Sequence, residues 1–338
     1  MSNYITEHGN NIPIRSSDPA NPLIGEVWYN TTSRALKGLQ NVATASWSTG
    51  GTVPKQMSGM GSGGTTTSAW AAGGLQYPGG TSNLTFVYDG SSWSSANDLP
   101  QNYFIGGHCG PNSAGLMFGS QSGYGTTTTT SEWDGTNWTG GGAFPSLGPS
   151  SAGMCGWGDS SNALSAGGRG DPPPAGLTDV YNYNGTAWTT NPYSLPVGQY
   201  NAAGSGTVSE AWMAGGYGPS PNTSTFTFNG SAWTAKGALN NARNEGQSGG
   251  FGPETAATIA CGGPGPIATA VENFDGTSWT AGTNLSTART YGMGASRNSP
   301  TQTNGYIVGG ATGGSPSFTG ATEEYSAAGP ATVTFTTS

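Results

Sequence analysis

The chain has 338 residues, of which only 8% are charged, and its formal net charge is −8. Nine dispersed Lys and Arg residues offer no basic surface for nucleic acid, and no run of 18 apolar residues could span a membrane. Sixty Gly and 22 Pro residues approach the composition of a disordered chain, but regularly spaced aromatic residues, 10% of the total, predict a packed core.

The start of the chain has no basic segment followed by an apolar one, so no signal peptide is expected. Three Cys residues without a CxxC pair cannot form a disulfide framework. Both observations predict synthesis in a reducing cytoplasm.

Residues 1–45 carry no repeat, and we expect them to form an extended N-terminal arm rather than a domain. The Pro-containing stretch 12–22 favours extended chain, because residues before Pro avoid the helical region. Apolar stretches at 26–30 and 35–39 flank a Thr-Thr-Ser turn and predict a small hairpin. The candidate docking residues of this arm are Trp28, Tyr29 and Leu36.

A six-residue unit, aromatic–Asp/Asn–Gly–Thr/Ser–x–Trp, recurs along the remaining chain. Its complete copies are Tyr88–Trp93, Trp133–Trp138, Tyr183–Trp188, Phe228–Trp233 and Phe274–Trp279. A lone Trp precedes them, so the repeat Trp residues are Trp47, Trp93, Trp138, Trp188, Trp233 and Trp279. Their spacing of 45 to 50 residues is typical of propeller repeats.

A second marker, a Gly pair after a short apolar strand, recurs with nearly the same period. The pairs are Gly73-Gly74, Gly167-Gly168, Gly215-Gly216, Gly262-Gly263 and Gly309-Gly310, with Gly119-Ser120 in the remaining position. The two markers predict a four-stranded antiparallel sheet per repeat. Small residues form the innermost strand, the Gly pair ends the second, Asp-Gly or Asn-Gly supplies the positive φ values of a tight hairpin turn, and the Trp of the fourth strand packs between neighbours.

Six copies of each marker predict an all-β, six-bladed propeller over residues 46–326, followed by a C-terminal tail at 327–338. The strand at Trp47 would complete the last blade, which removes exposed sheet edges. In the alternative, residues 331–335 close the last blade and Trp47 belongs to an extra partial blade.

The spacing of an apolar strand, a Gly pair, an aromatic residue and a Trp resembles the kelch repeat. The short version of this repeat at 279–289 and 321–325 is similar to kelch-type proteins of phages of aquatic bacteria. Residues 17–37, with Asp18, Trp28, Asn30 and Lys37, resemble a leader found in such virion-associated proteins.

This resemblance implies a non-enzymatic virion structural protein, such as a tail or fibre appendage that attaches to the host. The arm would bind other virion proteins, and the chain would form a homo-oligomer in the particle. The alternative is a purely architectural capsid decoration or fibre subunit without receptor binding.

No residues match a catalytic, cofactor or metal site. The only two His residues are His8 and His108, and His108 with Cys109 supplies two ligands, too few for a closed site. Cys109 and Cys155 are 46 residues apart and are expected at equivalent positions of the repeat. The adjacent Glu323-Glu324 would point to opposite faces of a strand. Asn replaces Asp in two of the five repeat turns. A structural role in the turn permits this replacement, whereas acid catalysis does not.

The loops after the Gly pairs differ in length and sequence and are the candidate binding surface. Their aromatic side chains, near Asn, Ser and Thr, are suited to stacking on a host glycan or to contacting a protein, or they pack on their own loops. Trp157 was predicted either to line a pocket or to belong to the core. The candidate binding residues are Tyr77, Tyr124, Tyr217, Phe318 and Trp157.

Overall fold

The chain forms two compact units, Met1–Ser46 with Ala327–Ser338, and Trp47–Ser326. The computed structural model describes residues 12–20, 22–23, 25–41, 45–122, 125–147, 151–169, 176–218, 220–243, 249–262, 268–294, 302–313, 318–327 and 330–335. Every regular element in these ranges is a strand, so the prediction of an all-β repeat fold is confirmed. The strands are numbered β1 to β31 along the chain.

The first unit is one mixed sheet in the order β1-β2-β3-β31. Its strands are β1 (Ile14–Arg15), β2 (Val27–Asn30), β3 (Ala35–Asn41) and β31 (Pro330–Phe335). The β2–β3 hairpin forms as predicted, but the arm is folded rather than extended. Residues 330–335, which were assigned to a separate tail, pair antiparallel with β3. β3, near the start of the chain, and β31, near its end, pair because the backbone groups of each strand need hydrogen-bond partners.

Among the residues that the structure describes, the second unit contains six four-stranded sheets and one three-stranded sheet. We number the four-stranded sheets 1 to 6. Sheet 1 comprises β6 (Gly61–Thr65), β7 (Ser68–Ala72), β10 (Thr85–Tyr88) and β11 (Trp93–Ser95). Sheet 2 comprises β12 (Gly107–Cys109), β13 (Gly115–Ser122), β14 (Gly125–Trp133) and β15 (Trp138–Gly140). Sheet 3 comprises β16 (Cys155–Gly158), β17 (Ala163–Ala166), β18 (Val180–Tyr183) and β19 (Trp188–Thr190).

Sheets 4 to 6 repeat the same order. Sheet 4 comprises β20 (Ala203–Gly206), β21 (Ala211–Ala214), β22 (Thr225–Phe228) and β23 (Trp233–Lys236). Sheet 5 comprises β24 (Gly249–Phe251), β25 (Ala257–Ala260), β26 (Val271–Phe274) and β27 (Trp279–Ala281). Sheet 6 comprises β28 (Met293–Gly294), β29 (Asn304–Val308), β30 (Thr322–Ser326) and β4 (Ser46–Thr49). The short strands β5 (Met57–Ser58), β8 (Leu75–Gln76) and β9 (Gly80–Thr81) form the three-stranded sheet.

The sheets follow one another through contacts between their first strands. β6 contacts β12, each later first strand contacts the next, and β28 contacts β6 again. The fourth strand of sheet 6 is β4, which carries Trp47, whereas residues 330–335 pair elsewhere. The alternative in which residues 331–335 close the last sheet is therefore not the arrangement found.

Small residues occupy the first strands because neighbouring backbones approach closely there. A Cβ atom on Gly294 would lie 2.6 Å from Gly249 Cα, and one on Gly156 would lie 2.8 Å from the carbonyl oxygen of His108. Real Cβ atoms essentially never approach a neighbour below 3.0 Å. Side chains at these positions would push the sheets apart.

The repeated Asp/Asn–Gly turn is a four-residue loop, since Tyr88 pairs directly with Trp93 across it. Asp89 Oδ1 accepts hydrogen bonds from the amides of Ser91 and Ser92, both at 2.8 Å. Only the Gly has a positive φ, +95° at Gly90, so the expected pair of positive φ values is not found. An Asx turn that caps its own loop replaces the two-residue hairpin.

The closing Trp residues pack between consecutive sheets, as predicted. Four of their indole N–H groups donate to the hydroxyl of a Thr in the third strand of the preceding sheet, three residues before the repeat aromatic of that strand. These bonds are Trp93–Thr322 (2.9 Å), Trp138–Thr85 (2.9 Å), Trp188–Thr130 (2.9 Å) and Trp279–Thr225 (2.8 Å). Trp233 of sheet 4 has no such bond, because the equivalent position in sheet 3 holds Val180. Its Nε1 is buried without a hydrogen-bond partner among the described residues. Trp47 donates to the carbonyl oxygen of Thr283 instead.

The Gly pairs join each sheet to the next. The amide of the second Gly donates to a carbonyl oxygen of the following connection, for example Gly74 to Tyr103 at 2.7 Å and Gly216 to Arg243 at 2.6 Å. In sheet 5 this bond comes from Gly262, and the preceding Cys261 has a φ of +57°. The functional pair is therefore Cys261-Gly262, one residue before the Gly-Gly marker read from the sequence.

Candidate functional site

Each repeated sheet has two ends with different chemistry. We call turn edge the end formed by the loop between the first and second strands and by the Asp/Asn–Gly loop. We call loop edge the end formed by the segment after the Gly pair and by the connection to the next sheet. Antiparallel order places all loops of one kind at the same end of their sheets. Of the predicted binding aromatics, Tyr77, Tyr217 and Phe318 belong to the loop edge.

The loop-edge aromatics are not gathered into one site. Tyr77 is 48% exposed, whereas Tyr217 and Phe318 are half-buried. These residues belong to sheets 1, 4 and 6, and no ring contact joins them among the residues that the structure describes. Tyr124 lies outside the described residues. The side chains therefore offer separate contact points.

Trp157 is a core residue, so its assignment as a binding candidate is corrected. It lies in β16, is fully buried, and packs its ring 5.7 Å from the ring of Trp233. Its Nε1 donates to the carbonyl oxygen of Ser205 at 3.0 Å, which joins sheet 3 to sheet 4. A satisfied, buried indole serves packing rather than ligand binding.

The structure adds a loop-edge cluster that the sequence reading missed. Tyr200, in the connection from sheet 3 to sheet 4, lies with its ring 5.3 Å from that of Tyr217. Their backbones exchange two hydrogen bonds, of 3.0 and 2.8 Å. Burial raises the pKa of Tyr200, and the positive charge of Arg169 opposes this. The neighbouring Gln199 is fully buried, and its Oε1 has no hydrogen-bond partner in the described part of the chain.

Only the pairing of a connection with the loop of the next sheet brings Tyr200 and Tyr217 together. Tyr200 follows no Gly pair, so it lies outside the variable loops that the sequence marks as candidate binding sites. The signal in the sequence was its place in the connection, one residue after Gln199, which occupies the position that Arg243 and Arg289 hold in other repeats.

Two buried ion pairs occupy the sheet boundaries near the loop edge. Arg243 Nη2 lies 3.0 Å from Glu272 Oε1, and Arg289 Nη2 lies 2.7 Å from Glu323 Oε1. Arg243 also donates to the carbonyl oxygens of Cys261 and Ala270. All four charged side chains are almost fully buried. Apart from Arg289 Nε, which has no hydrogen-bond partner among the described residues, the donors of both Arg side chains bind the protein itself, which indicates a structural role.

The corresponding positions of sheet 1 are apolar. The register of the strands makes Phe86 equivalent to Glu272, and Met57 takes the place of Arg243. Met57 and Phe86 belong to one core cluster. At this position of the connections, the two Arg residues, Arg243 and Arg289, each face a strand that supplies a Glu.

Two other carboxylates accept hydrogen bonds from Tyr hydroxyls of the next sheet. Tyr88 donates to Glu324 Oε1 at 2.5 Å, and Tyr183 donates to Glu132 Oε1. Burial and then the Glu324 carboxylate raise the pKa of Tyr88 to about 12, and burial with Glu132 does the same for Tyr183. Glu323 and Glu324 indeed serve opposite faces of β30, since one binds Arg289 and the other Tyr88.

The turn Asp residues are held as carboxylates. Amide hydrogen bonds from Ser92 and Ser91 lower the pKa of Asp89 to about 2. Amides within their own loops also lower the pKa values of Asp134 and Asp275. A carboxyl group with a lowered pKa is a poor general acid near neutral pH.

The His and Cys residues do not form a metal site among the described residues, where no group of three His, Cys, Asp or Glu side chains could hold an ion. His108 and Cys109 are buried neighbours in β12, and His8 lies outside the described residues. Cys109 pairs with Leu116, whereas Cys155 pairs with Ala166 at the end of β17. The two Cys residues are therefore not at equivalent positions, and the prediction that they are was wrong. The repeat between their sheets is two residues longer than 46. Burial raises the pKa of the Cys261 thiol.

The docking candidates lie on both faces of the first unit's sheet. Trp28 is fully buried, and its Nε1 donates to Asp18 Oδ1 at 3.0 Å. Tyr29 and Leu36 lie on the other face, where the pairing places Ile14, Tyr29 and Leu36 side by side. Ile14 is 74% exposed and Tyr29 36%. Tyr29 and Leu36 therefore remain available for contact, and Trp28 packs on the opposite face of the sheet.

Comparison with known proteins supports the fold alone. No protein-family model and no curated protein matches the chain. Among solved structures, the one titled "Structure of YjhT", a kelch-type propeller, is similar with a TM-score of 0.64 and 13% sequence identity. The match covers 80% of this chain and 96% of that one. The repeated sheets thus belong to a β-propeller-like fold. No described helix is long and apolar enough to cross a membrane.

Proposed function

We propose that the protein is a non-enzymatic structural component of a bacteriophage virion, a tail or fibre appendage made in the host cytoplasm. Its second unit is a six-bladed kelch-like propeller, and its first unit docks it to other virion proteins. The observation that carries the proposal is the first unit, in which the leader residues that resemble those of virion-associated proteins converge on one side chain.

That side chain is Asp18. Its Oδ1 accepts hydrogen bonds from Trp28 and from Asn30, the latter at 2.6 Å, and its Oδ2 lies 2.7 Å from Lys37 Nζ. The hydrogen bond from Lys37, followed by those from Asn30 and Trp28, lowers the pKa of Asp18 to about 2. The leader is thus one folded element whose polar residues orient the hairpin, which is what a docking module requires.

Six blades are supported by the six repeated sheets and by the cyclic succession of their first strands. The strand at Trp47 completes sheet 6, so the fourth strand of that sheet comes from the start of the unit. Such closure joins the first and last repeats and leaves only short, protected sheet edges.

The loop edge is the proposed contact with the host surface, with the Tyr200–Tyr217 pair and Tyr77 as its aromatic anchors. Paired aromatic rings stack on sugars or pack on a protein with little loss of side-chain entropy. Many copies in one particle would add weak contacts into strong attachment.

Incorporation into particles tests the docking role. Tyr29→Asp with Leu36→Asp is expected to abolish incorporation, because it puts charge on the exposed row. Deleting residues 327–338 should have the same effect, since β3 then loses its partner strand. The matched control, Tyr77→Asp in the second unit, should leave incorporation unchanged. Normal incorporation of both arm variants would refute docking through this unit.

A purely architectural role is the second candidate. It is favoured by the half-buried state of Tyr217 and Phe318, which leaves little aromatic surface for a receptor. Particles that carry Tyr200→Ala and Tyr217→Ala separate the two roles. Host attachment predicts at least a tenfold slower adsorption to cells, whereas an architectural subunit predicts unchanged adsorption at normal incorporation.

A further inference from the structure

A cavity of about 300 Å³ opens at the turn edge between sheets 4 and 5, at the opposite ends of the strands from the predicted binding loops. The lining includes Glu210, Thr227, Asn229, Thr234, Lys236 and Glu254. With Thr255, which also lines it, the cavity offers two carboxylates, one ammonium group, three hydroxyls and one amide around a space for a small molecule.

The variation of the repeat explains why the cavity lies at this boundary. At two sheet boundaries, the residue before the repeat aromatic of one third strand contacts the repeat aromatic of the next sheet's third strand. Glu132 meets Tyr183 between sheets 2 and 3, and Glu324 meets Tyr88 between sheets 6 and 1. Between sheets 4 and 5 the same positions hold Thr227 and Phe274, which are smaller and cannot bond to each other.

Lys236 is part of the same change. Its position is Gly141 in sheet 2, where a Cβ atom would lie 2.5 Å from Tyr183 Oη and 2.8 Å from Glu132 Oε1. A side chain is excluded there because the Glu–Tyr pair fills the space. Without that pair, sheet 4 accommodates a Lys, which makes no ion pair with another described residue.

Glu254 has a carboxylate oxygen that lacks a hydrogen-bond partner among the described residues. This atom, Oε2, is buried. A buried carboxylate oxygen without a hydrogen bond is unfavourable, so a donor at this point would be favourable. Hydroxyl groups of a ligand are such donors.

We propose that this cavity binds one sugar residue of a glycan. Vicinal hydroxyls donate to Glu254 and Glu210, and Lys236 and the Thr hydroxyls donate to the ring and hydroxyl oxygens of the sugar. The cavity lies at the lower end of the roughly 300–1,000 Å³ typical of ligand sites, which suits one residue rather than a longer chain. The inference rests on the proposed host-surface role but assigns the glycan contact to the turn edge.

The test uses the full chain and three probes, methyl α-D-glucopyranoside, methyl β-D-galactopyranoside and N-acetyl-D-glucosamine, observed by saturation-transfer NMR. The filled variant combines Thr227→Glu, Phe274→Tyr and Lys236→Gly, which rebuilds the arrangement of sheets 2 and 3. We expect saturable millimolar binding of at least one probe, weakened at least tenfold in the filled variant. Glu254→Gln, which keeps the shape of the side chain, should weaken it at least threefold.

Glu26→Gln in the first unit is the control, because it removes a carboxylate that does not line the cavity and should leave binding unchanged. Tyr217→Ala tests the loop edge as the competing site. Absence of saturable binding for all three probes would overturn the inference, as would equal binding by the wild type, the filled variant and Glu254→Gln. Binding that is lost only in Tyr217→Ala would also overturn it, and would place the sugar on the loop edge. The incorporation experiment is independent of these outcomes, so failure of the cavity and failure of the virion role are distinguishable.

Discussion

The hydrogen bonds between Trp and Thr of adjacent sheets give a quantitative test of how the repeats hold together. Thr225→Val replaces the hydroxyl that accepts from Trp279 Nε1 at 2.8 Å, with almost no change in shape. Thr225 is 1% exposed and Trp279 5%, so water cannot replace the lost bond. The free energy of unfolding should fall by about 1–3 kcal/mol, the cost of a buried donor left without a partner.

The reverse substitution is available at the one boundary where Val is native and the indole donor is unpaired. Val180→Thr places a hydroxyl in the position equivalent to Thr225, near Trp233 Nε1. The free energy of unfolding should rise by about 0.5–1.5 kcal/mol, or at least not fall, because the new hydroxyl bonds to an existing unsatisfied donor.

Urea unfolding of both variants, followed by Trp fluorescence, measures the two changes. Equal slopes of the free energy against urea concentration would show that only the native state is altered. The reasoning is refuted if Val180→Thr destabilises as much as Thr225→Val, since burial of a hydroxyl would then dominate over its bond. It is also refuted if Thr225→Val changes nothing.

Two further predictions concern charged groups. Arg243→Met should cost about 3–5 kcal/mol of unfolding free energy, because Glu272 stays buried without its ion pair, and adding Glu272→Phe should recover most of the loss. Urea unfolding that shows additive losses would contradict this. Replacing Asp89, Asp134 and Asp275 by Asn should leave stability at pH 7 nearly unchanged. The lowered carboxyl pKa values stabilise the fold above pH 4, and this contribution is lost as pH falls toward 2. The Asn variant should therefore show a flatter loss of stability between pH 4 and 2, which thermal unfolding across that range measures, and an unchanged slope would count against the role of the turns.

The period of the markers was enough to predict the all-β repeat fold and the strand order within each sheet. Trp and Gly at fixed intervals carry this information because packing between sheets and left-handed backbone positions admit few other residues. The marker failed by one residue at Cys261-Gly262. There Cys accepts the positive φ, and the adjacent Gly263 imitates the usual pair in the sequence.

The candidate sites were less predictable than the fold. Trp157 was a candidate by its odd position, yet only its neighbours in sheet 4 decide that it is buried. Tyr200 belongs to the loop edge because its connection pairs with the loop of Tyr217. Contacts between residues of different repeats depend on how the sheets stack, which local pattern does not specify.

The sequence by itself determined the repeat, the chemistry of its turns and the absence of recognisable catalytic motifs, because these depend on residues within a few positions of one another. Only the tertiary structure decided that residues 330–335 join the first unit, which leaves sheet 6 to be completed by the strand at Trp47 as the sequence predicted. It alone also showed a cavity beside Thr227 at the boundary between sheets 4 and 5. Each of these depends on strands or side chains far apart in sequence, whose partners are chosen by shape and by hydrogen bonds that must be satisfied once buried.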